Sequence, residues 1–205
     1  MLARQIGIMG GTFDPIHLGH LVAAEAVYYE LGLDEVVFVP TGCPPHKSGE
    51  RVTPAEHRYL MTVLATISNA HFRVSRVDID RGGPTYSIDT LADLRRSLGA
   101  DNRLWFITGA DALRDFAEWK EPERLVQMCQ WVAVSRPGYD FARLTDSLGS
   151  LYQENEGHFR FVPVPALSVS STEIRSRVAA GEPVKYLVPE SVEQYIIQQA
   201  LYSEP

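Results

Sequence analysis

Cysteine is nearly missing from this chain of 205 residues, which holds only Cys43 and Cys129. The two lie far apart and outside any metal-ligand spacing, so neither a disulfide framework nor a zinc site is expected. They read as one loop thiol and one buried thiol. No run of apolar residues is long enough to cross a bilayer, and no membrane partner is expected. A basic surplus is missing too. With 19 Lys and Arg against 26 Asp and Glu the formal charge is −7, which opposes binding to a long nucleic acid that wants a broad basic face. The residues Met1 to Gln5 lead straight into an apolar run, with no charged-then-apolar leader or small-residue cleavage site, and a cytoplasmic protein is expected. These absences leave room for a small anionic ligand, which needs only a few convergent cations and backbone N–H groups.

What is present is ordinary for a globular protein, with 45% hydrophobic and 22% charged residues. Six β-rich runs recur, Gln5–Met9, Glu35–Pro40, Phe72–Asp78, Arg103–Thr108, Trp131–Arg136 and His158–Val162, with helical periods between most of them. One stripe runs through Leu18, Leu21, Val22, Ala26 and Leu31 and stops at Gly32, the type of residue that ends a helix in the left-handed conformation. A second opens with Thr53-Pro54-Ala55-Glu56, a capping box with proline at the first helical position, and continues through Leu60, Leu64 and Ile67. Ile88, Leu91 and Leu98 mark a third, ended by Gly99. Strands alternating with helices, several apolar on both sides, predict an α/β fold: a doubly wound, Rossmann-like parallel sheet covered on both faces. Two helical patterns, Thr172–Ala180 and Ser191–Leu201, follow Pro165. The expectation is one domain over residues 1–205, with a core over 1–165 and a small helical part over 166–205. Phe141–Gly157 reads as a variable surface helix and loop, and Thr41–Val52 as a loop able to close over a ligand.

In such a sheet ligands bind beyond the carboxyl ends of the strands. The stretch Gly10-Gly11-Thr12-Phe13-Asp14-Pro15-Ile16-His17-Leu18-Gly19-His20 falls at the end of the first strand. Paired glycines let the backbone turn sharply and approach a ligand without a Cβ in the way. A helix opening near His17 offers free N–H groups and a positive dipole end. His17 and His20, three apart, project from nearly the same side of that turn and can donate to phosphate oxygens. The pair also suits a structural cap or half of a metal site, although zinc would need further ligands that the sequence does not place. Far downstream, Val169-Ser170-Ser171-Thr172-Glu173-Ile174-Arg175 reads as a capped helix start whose arginine either reaches phosphate or lies on the surface.

These two stretches resemble the T/HxGH and ISSTxIR signatures of the nucleotidylyltransferase superfamily, with Val169 in place of the usual Ile. Within it, the chain is similar over nearly its whole length to bacterial nicotinate mononucleotide adenylyltransferases. Pro44-Pro45-His46-Lys47 resembles that family's PPHK loop, Gly82 to Ser87 its GPSYT-like turn, Gly109-Ala110-Asp111 its GAD, and Ser135 to Gly138 its RPG. Trp119 matches its pyridine-stacking tryptophan; Phe141 to Gly157 matches least.

The resemblance implies adenylyl transfer from ATP to nicotinate mononucleotide, with His17, His20 and Arg175 as catalytic residues. Gly10, Gly11, Thr12, Phe13, Ser170, Ser171 and Thr172 would line the nucleotide, and Lys47, Ser171 and Arg175 would hold the β and γ phosphates. His46 either joins them or faces solvent. Gly109 and Asp111 would reach ribose hydroxyls, unless Asp111 only caps a helix; Arg136 either faces phosphate or packs at the surface. Thr85 and Tyr86 would offer helix N-terminal N–H groups to the nicotinate carboxylate. Trp119 would stack on the pyridine or else pack in the core. Mg²⁺ is expected to arrive mainly through the ATP phosphates, and no residue is assigned as a metal ligand; Asp14, the nearest acidic candidate, better suits a turn or cap. Homo-oligomer formation stays open. Competing readings are the same reaction on nicotinamide mononucleotide or phosphopantetheine, and a non-catalytic nucleotide sensor. A class I aminoacyl-tRNA synthetase would need a KMSKS loop, and a dinucleotide-binding dehydrogenase GxGxxG, neither of which occurs.

Overall fold

The computed structural model describes residues 3–45, 49, 51–135, 138–165 and 167–203. In chain order its elements are β1 (Gln5–Gly11), α1 (Leu18–Leu31), β2 (Glu35–Pro40), α2 (Ala55–Thr66), β3 (Phe72–Val74), α3 (Val77–Arg81) and α4 (Ser87–Leu98). There follow β4 (Arg103–Gly109), α5 (Ala110–Leu113), a 3₁₀ turn at Phe116–Glu118, α6 (Pro122–Met128), β5 (Gln130–Ser135), α7 (Phe141–Leu148) and α8 (Ser150–Asn155). After a second 3₁₀ turn, Glu156–His158, come β6 (Phe159–Pro163), α9 (Ser171–Ala179) and α10 (Glu190–Gln198).

The strands form one open sheet in the order β3-β2-β1-β4-β5-β6, parallel throughout. That order reverses direction between β1 and β4, and the reversal opens a crevice at the carboxyl ends of these two strands. Because side chains alternate along a strand, β1 feeds both faces. Ile6 and Ile8 enter a core with Val37, Val39, Leu104 and the α4 residues Ile88, Leu91 and Leu94. Met9 enters the opposite one with Val36, Phe38, Ile107 and the α1 residues Ala24 and Val27. The doubly wound parallel sheet is therefore present. Ile174 of α9 and Val192 and Ile196 of α10 join the α1 side of this core.

Several local expectations change. The third strand stops at Val74 instead of reaching Asp78, because Ser75 donates its N–H to the Phe38 carbonyl (2.9 Å) and its hydroxyl then accepts from the Val77 N–H (3.3 Å), which turns the chain into α3. Asp78 faces inward and accepts from Thr90 Oγ1 (2.6 Å) and Arg81 Nη2 (2.7 Å). No capping box starts α2: Pro54 is its N-cap, and the Thr53 N–H goes to Asp14 Oδ2 at 3.1 Å. Its buried face is Arg58, Met61, Thr62, Ala65 and Thr66, while Leu60 and Ile67 are exposed. Of the expected stripe only Leu64 packs against the core, because this helix turns a cation and two threonines inward. On α1 the buried centre is Ala23, Ala24 and Val27, and Gly32 does end the helix in the left-handed region (φ 59°). The stretch Phe141–Gly157 is less peripheral than expected, since Leu144 and Leu148 are buried.

Candidate active site

The paired glycines stay within β1 and their backbone does not turn. What they provide is room: a Cβ at Gly10 would lie 3.0 Å from Phe106 Cζ, and one at Gly11 2.8 Å from Phe13 Cε1. The turn falls two residues later, where buried Phe13 adopts φ 51° and lays its ring edge-on against His20 at a centroid distance of 5.1 Å. His17, 7% exposed, is the N-cap of α1. The His17 N–H donates to His20 Nδ1 (3.2 Å), and the two rings stack at 3.7 Å. Gly19, the glycine of the HxGH stretch, lies between them and has a role the sequence did not assign: a Cβ there would sit 3.0 Å from His17 Nδ1 and 3.1 Å from Val169 Cγ1. Glycine lets the imidazole lie flat on the helix start.

Burial drives the pKa of His17 down to about 4. His20 is lowered well below the ordinary imidazole value, first by burial and then by His17. Both rings are therefore neutral near pH 7. With its Nδ1 accepting from the backbone, neutral His20 keeps its proton on Nε2 as a donor.

The downstream motif meets this loop although more than 150 residues separate them. Ser170 caps α9, its Oγ accepting from the Glu173 N–H at 3.1 Å. Ser171 Oγ donates to the Pro15 carbonyl (2.8 Å), Arg175 Nη1 to the Asp14 carbonyl (2.8 Å), and Arg175 Nη2 to Thr172 Oγ1 (3.4 Å). The Ser171 hydroxyl and one arm of Arg175 thus fasten the motif to the first loop. The N–H groups of Ser171 and Thr172 have no partner among the described residues.

A cleft of about 540 Å³ opens beside this corner, lined by Gly10, Gly11, Thr12, Tyr86, Ser87 and Trp119 among others. Trp119, partly exposed, rests on Phe116 at 5.2 Å with a 30° interplanar angle, so the stacking and packing readings of this residue are compatible. Thr85 lines the cleft but its N–H is taken by the Cys43 carbonyl (2.9 Å), and its Oγ1 accepts from the Cys43 N–H (3.2 Å). Tyr86, the N-cap of α4, and Ser87 carry N–H groups with no partner among the described residues. Lys120, which the sequence reading passed over, also lines the cleft; its Nζ lies 4.6 Å from the centre of the Tyr86 ring and 3.2 Å from Asp89 Oδ2.

Gly109 caps α5 at the end of β4, and Asp111, two residues on in its first turn, is exposed, 3.8 Å from Arg114. His46, Lys47 and Arg136 lie outside the described residues. Asp14 is 3% exposed and both its carboxylate oxygens are engaged, Oδ1 by the Tyr202 hydroxyl (2.7 Å) and Oδ2 by the Thr53 N–H. Among the described residues no cluster of His, Cys, Asp and Glu is placed to hold a metal. No described helix is long and apolar enough to cross a membrane.

A profile of the cytidylyltransferase-like family matches residues 8–177, from within β1 into α9. A protein from Thermoanaerobacter sp. (strain X514) is 52% identical over 200 residues, 98% of this chain and 95% of its own. One from Leifsonia xyli subsp. xyli is 55% identical over 198 residues, 97% of this chain and 94% of its own. Both bear the name "Probable nicotinate-nucleotide adenylyltransferase". The solved structure of Plasmodium falciparum nicotinic acid mononucleotide adenylyltransferase complexed with NaAD has the same fold, with a TM-score of 0.78 at 21% identity over 98% of each chain. The chain belongs to the cytidylyltransferase-like family and is a nucleotidyltransferase. Within that class, identity above one half over nearly its whole length groups it with the nicotinate-nucleotide adenylyltransferases.

Proposed function

We infer that this protein transfers the adenylyl group of ATP to nicotinate mononucleotide, giving nicotinate adenine dinucleotide and pyrophosphate in NAD biosynthesis. The observation that carries the reading is the pair of stacked, neutral imidazoles at the end of β1, with the α9 helix start on one side and the tryptophan-lined cleft on the other. In this reaction an oxygen of the 5′-phosphate attacks the α-phosphorus of ATP, the α–β bridging P–O bond breaks, and pyrophosphate leaves with the electron pair. The attacking phosphate is already largely dianionic at neutral pH, its second pKa being about 6, so no general base is required. Positioning and stabilisation of growing charge suffice.

In this reading His20 directs its Nε2–H at phosphate oxygens where charge accumulates, with His17 and the Gly10–Phe13 backbone beside it. The free N–H groups at the start of α9, following Ser170, receive the β and γ phosphates, helped by the uncommitted donors of Arg175 and by Lys47. His46 and Arg136 are further candidates for the same phosphates, and Gly109 and Asp111 for ribose. Mg²⁺ enters with ATP as part of the substrate, and no step is assigned to a metal held by the protein.

Trp119 offers a flat face to the pyridine. In this reading the N–H groups of Tyr86 and Ser87 receive the nicotinate carboxylate, one residue beyond the pair expected from the sequence; that the Thr85 N–H is spent on Cys43 supports the shift. A helix of twelve residues adds its positive end there. A carboxamide would point its NH₂ at these donors and lose the contact. Offering nicotinate and nicotinamide mononucleotides at matched concentrations with ATP and Mg²⁺, and separating the products by chromatography, tests both points. Strong preference for the nicotinate form is expected. Equal use of both would remove the helix-terminus account, and no dinucleotide from either would overturn the activity.

A further inference from the structure

Arg58 is 1% exposed and makes no ion pair among the described residues. Its guanidinium instead donates to three backbone carbonyls: Nη1 to Thr12 (2.7 Å), Nη2 to Gly42 (2.9 Å) and Nε to Thr53 (2.8 Å). Each belongs to a different wall of the site. Thr12 follows the paired glycines and leads into the histidine turn. Gly42 precedes Cys43, whose backbone grips Thr85 through both its N–H and its carbonyl and so locates the start of α4. Thr53 donates to Asp14, whose carbonyl receives Arg175. Gly42 lies close against α3, where a Cβ would meet the Asp78 carbonyl oxygen at 2.5 Å.

We propose that Arg58 is a positioning residue that holds the phosphate-binding turn and the mononucleotide-binding wall at a fixed separation, through its three carbonyl contacts. The inference rests on the adenylyl-transfer reading, in which one substrate is held at each of these walls. A buried cation is costly to desolvate; here it is spread over three loop ends that carry no regular secondary structure between them. Each carbonyl is met by a different nitrogen of the planar fork, a span that the three donors of lysine, radiating from one nitrogen, do not cover. In-line attack depends on the distance between the two bound phosphates, and a misplacement of roughly 1 Å costs on the order of 100-fold in rate.

The test compares the full-length wild type with Arg58→Lys and Arg58→Ala. The lysine variant keeps charge and most of the volume, so it carries the test if the alanine variant fails to fold. For folded Arg58→Lys we expect kcat to fall about 100-fold while the Kd of each substrate alone changes by less than about threefold. We also expect faster hydrogen exchange at the Thr41 amide, which donates to the Gly11 carbonyl, and at the Thr85 amide. Ethylguanidinium should restore part of the kcat of Arg58→Ala. A kcat for Arg58→Lys within threefold of wild type, a loss explained wholly by a smaller folded fraction, or unchanged exchange at both amides overturns the proposal. If the wild type itself forms no dinucleotide, the activity reading fails on its own, and the exchange measurement alone then decides whether Arg58 sets these walls.

Discussion

Lowering the pH from 7 to 5 should destabilise the protein in proportion to the burial of His17, and His17→Gln should remove that part of the loss. An imidazole in the unfolded chain titrates near 6.5, whereas His17 in the fold is held down to about 4. Above 6.5 both states are neutral and the residue contributes no pH dependence. Between 6.5 and 4 the unfolded chain takes up a proton that the folded protein refuses, so stability falls as the pH falls. Below about 4 the loss is complete. At pH 5 the unfolded imidazole is almost fully protonated and the folded one almost fully neutral, which amounts to about 2 kcal/mol lost relative to pH 7. His20, also depressed, adds in the same direction. Comparing the two chains at both pH values cancels groups the substitution leaves alone. Urea unfolding of wild type and His17→Gln at pH 7 and pH 5 reads the effect: the wild type should lose about 2 kcal/mol more than the variant. Identical losses would refute the burial argument and with it the neutral, donating histidine pair.

Trp119→Ala should raise the KM for the mononucleotide about tenfold and leave that for ATP within about twofold, as loss of a stacking face predicts; equal rises in both would indicate general damage instead. Gly19→Ala improves helix propensity by up to about 1 kcal/mol but drives a Cβ to 3.0 Å from His17 Nδ1. Turnover should fall at least about tenfold with little change in Tm, and unchanged turnover would show that the imidazole tolerates displacement. Tyr202→Phe removes the hydrogen bond to Asp14 and should cost about 1–3 kcal/mol in urea unfolding; no measurable cost would mean that the last turn of the chain does not brace the histidine loop.

The strands, the sheet class and the two signature motifs were legible in the amino-acid order because each is a local pattern. Continuous apolar runs such as Glu35–Pro40 announce a strand buried on both faces, and Gly32 ends a helix wherever the left-handed conformation is required. The histidine pair was legible for the same reason, since three residues on a helix start bring two rings together. Partners were not. Arg58 sits between His57 and Tyr59, on a helix face it shares with Met61, Thr62 and Ala65, and nothing in that local order marks it as buried. Only the crossing of α2 behind the ends of β1 and β2 turns it toward three carbonyls. Thr85 looked like a free donor until the β2 loop came alongside and took its N–H. Tyr202 reaches Asp14 across 188 positions, and no periodicity extends that far. Sequence by itself determined which backbone conformations and chemical groups this protein has. The tertiary structure decided which of those groups are spent on one another and which remain for a ligand, because hydrogen-bond donors are short-ranged and their partners come from whatever segment the sheet order brings near.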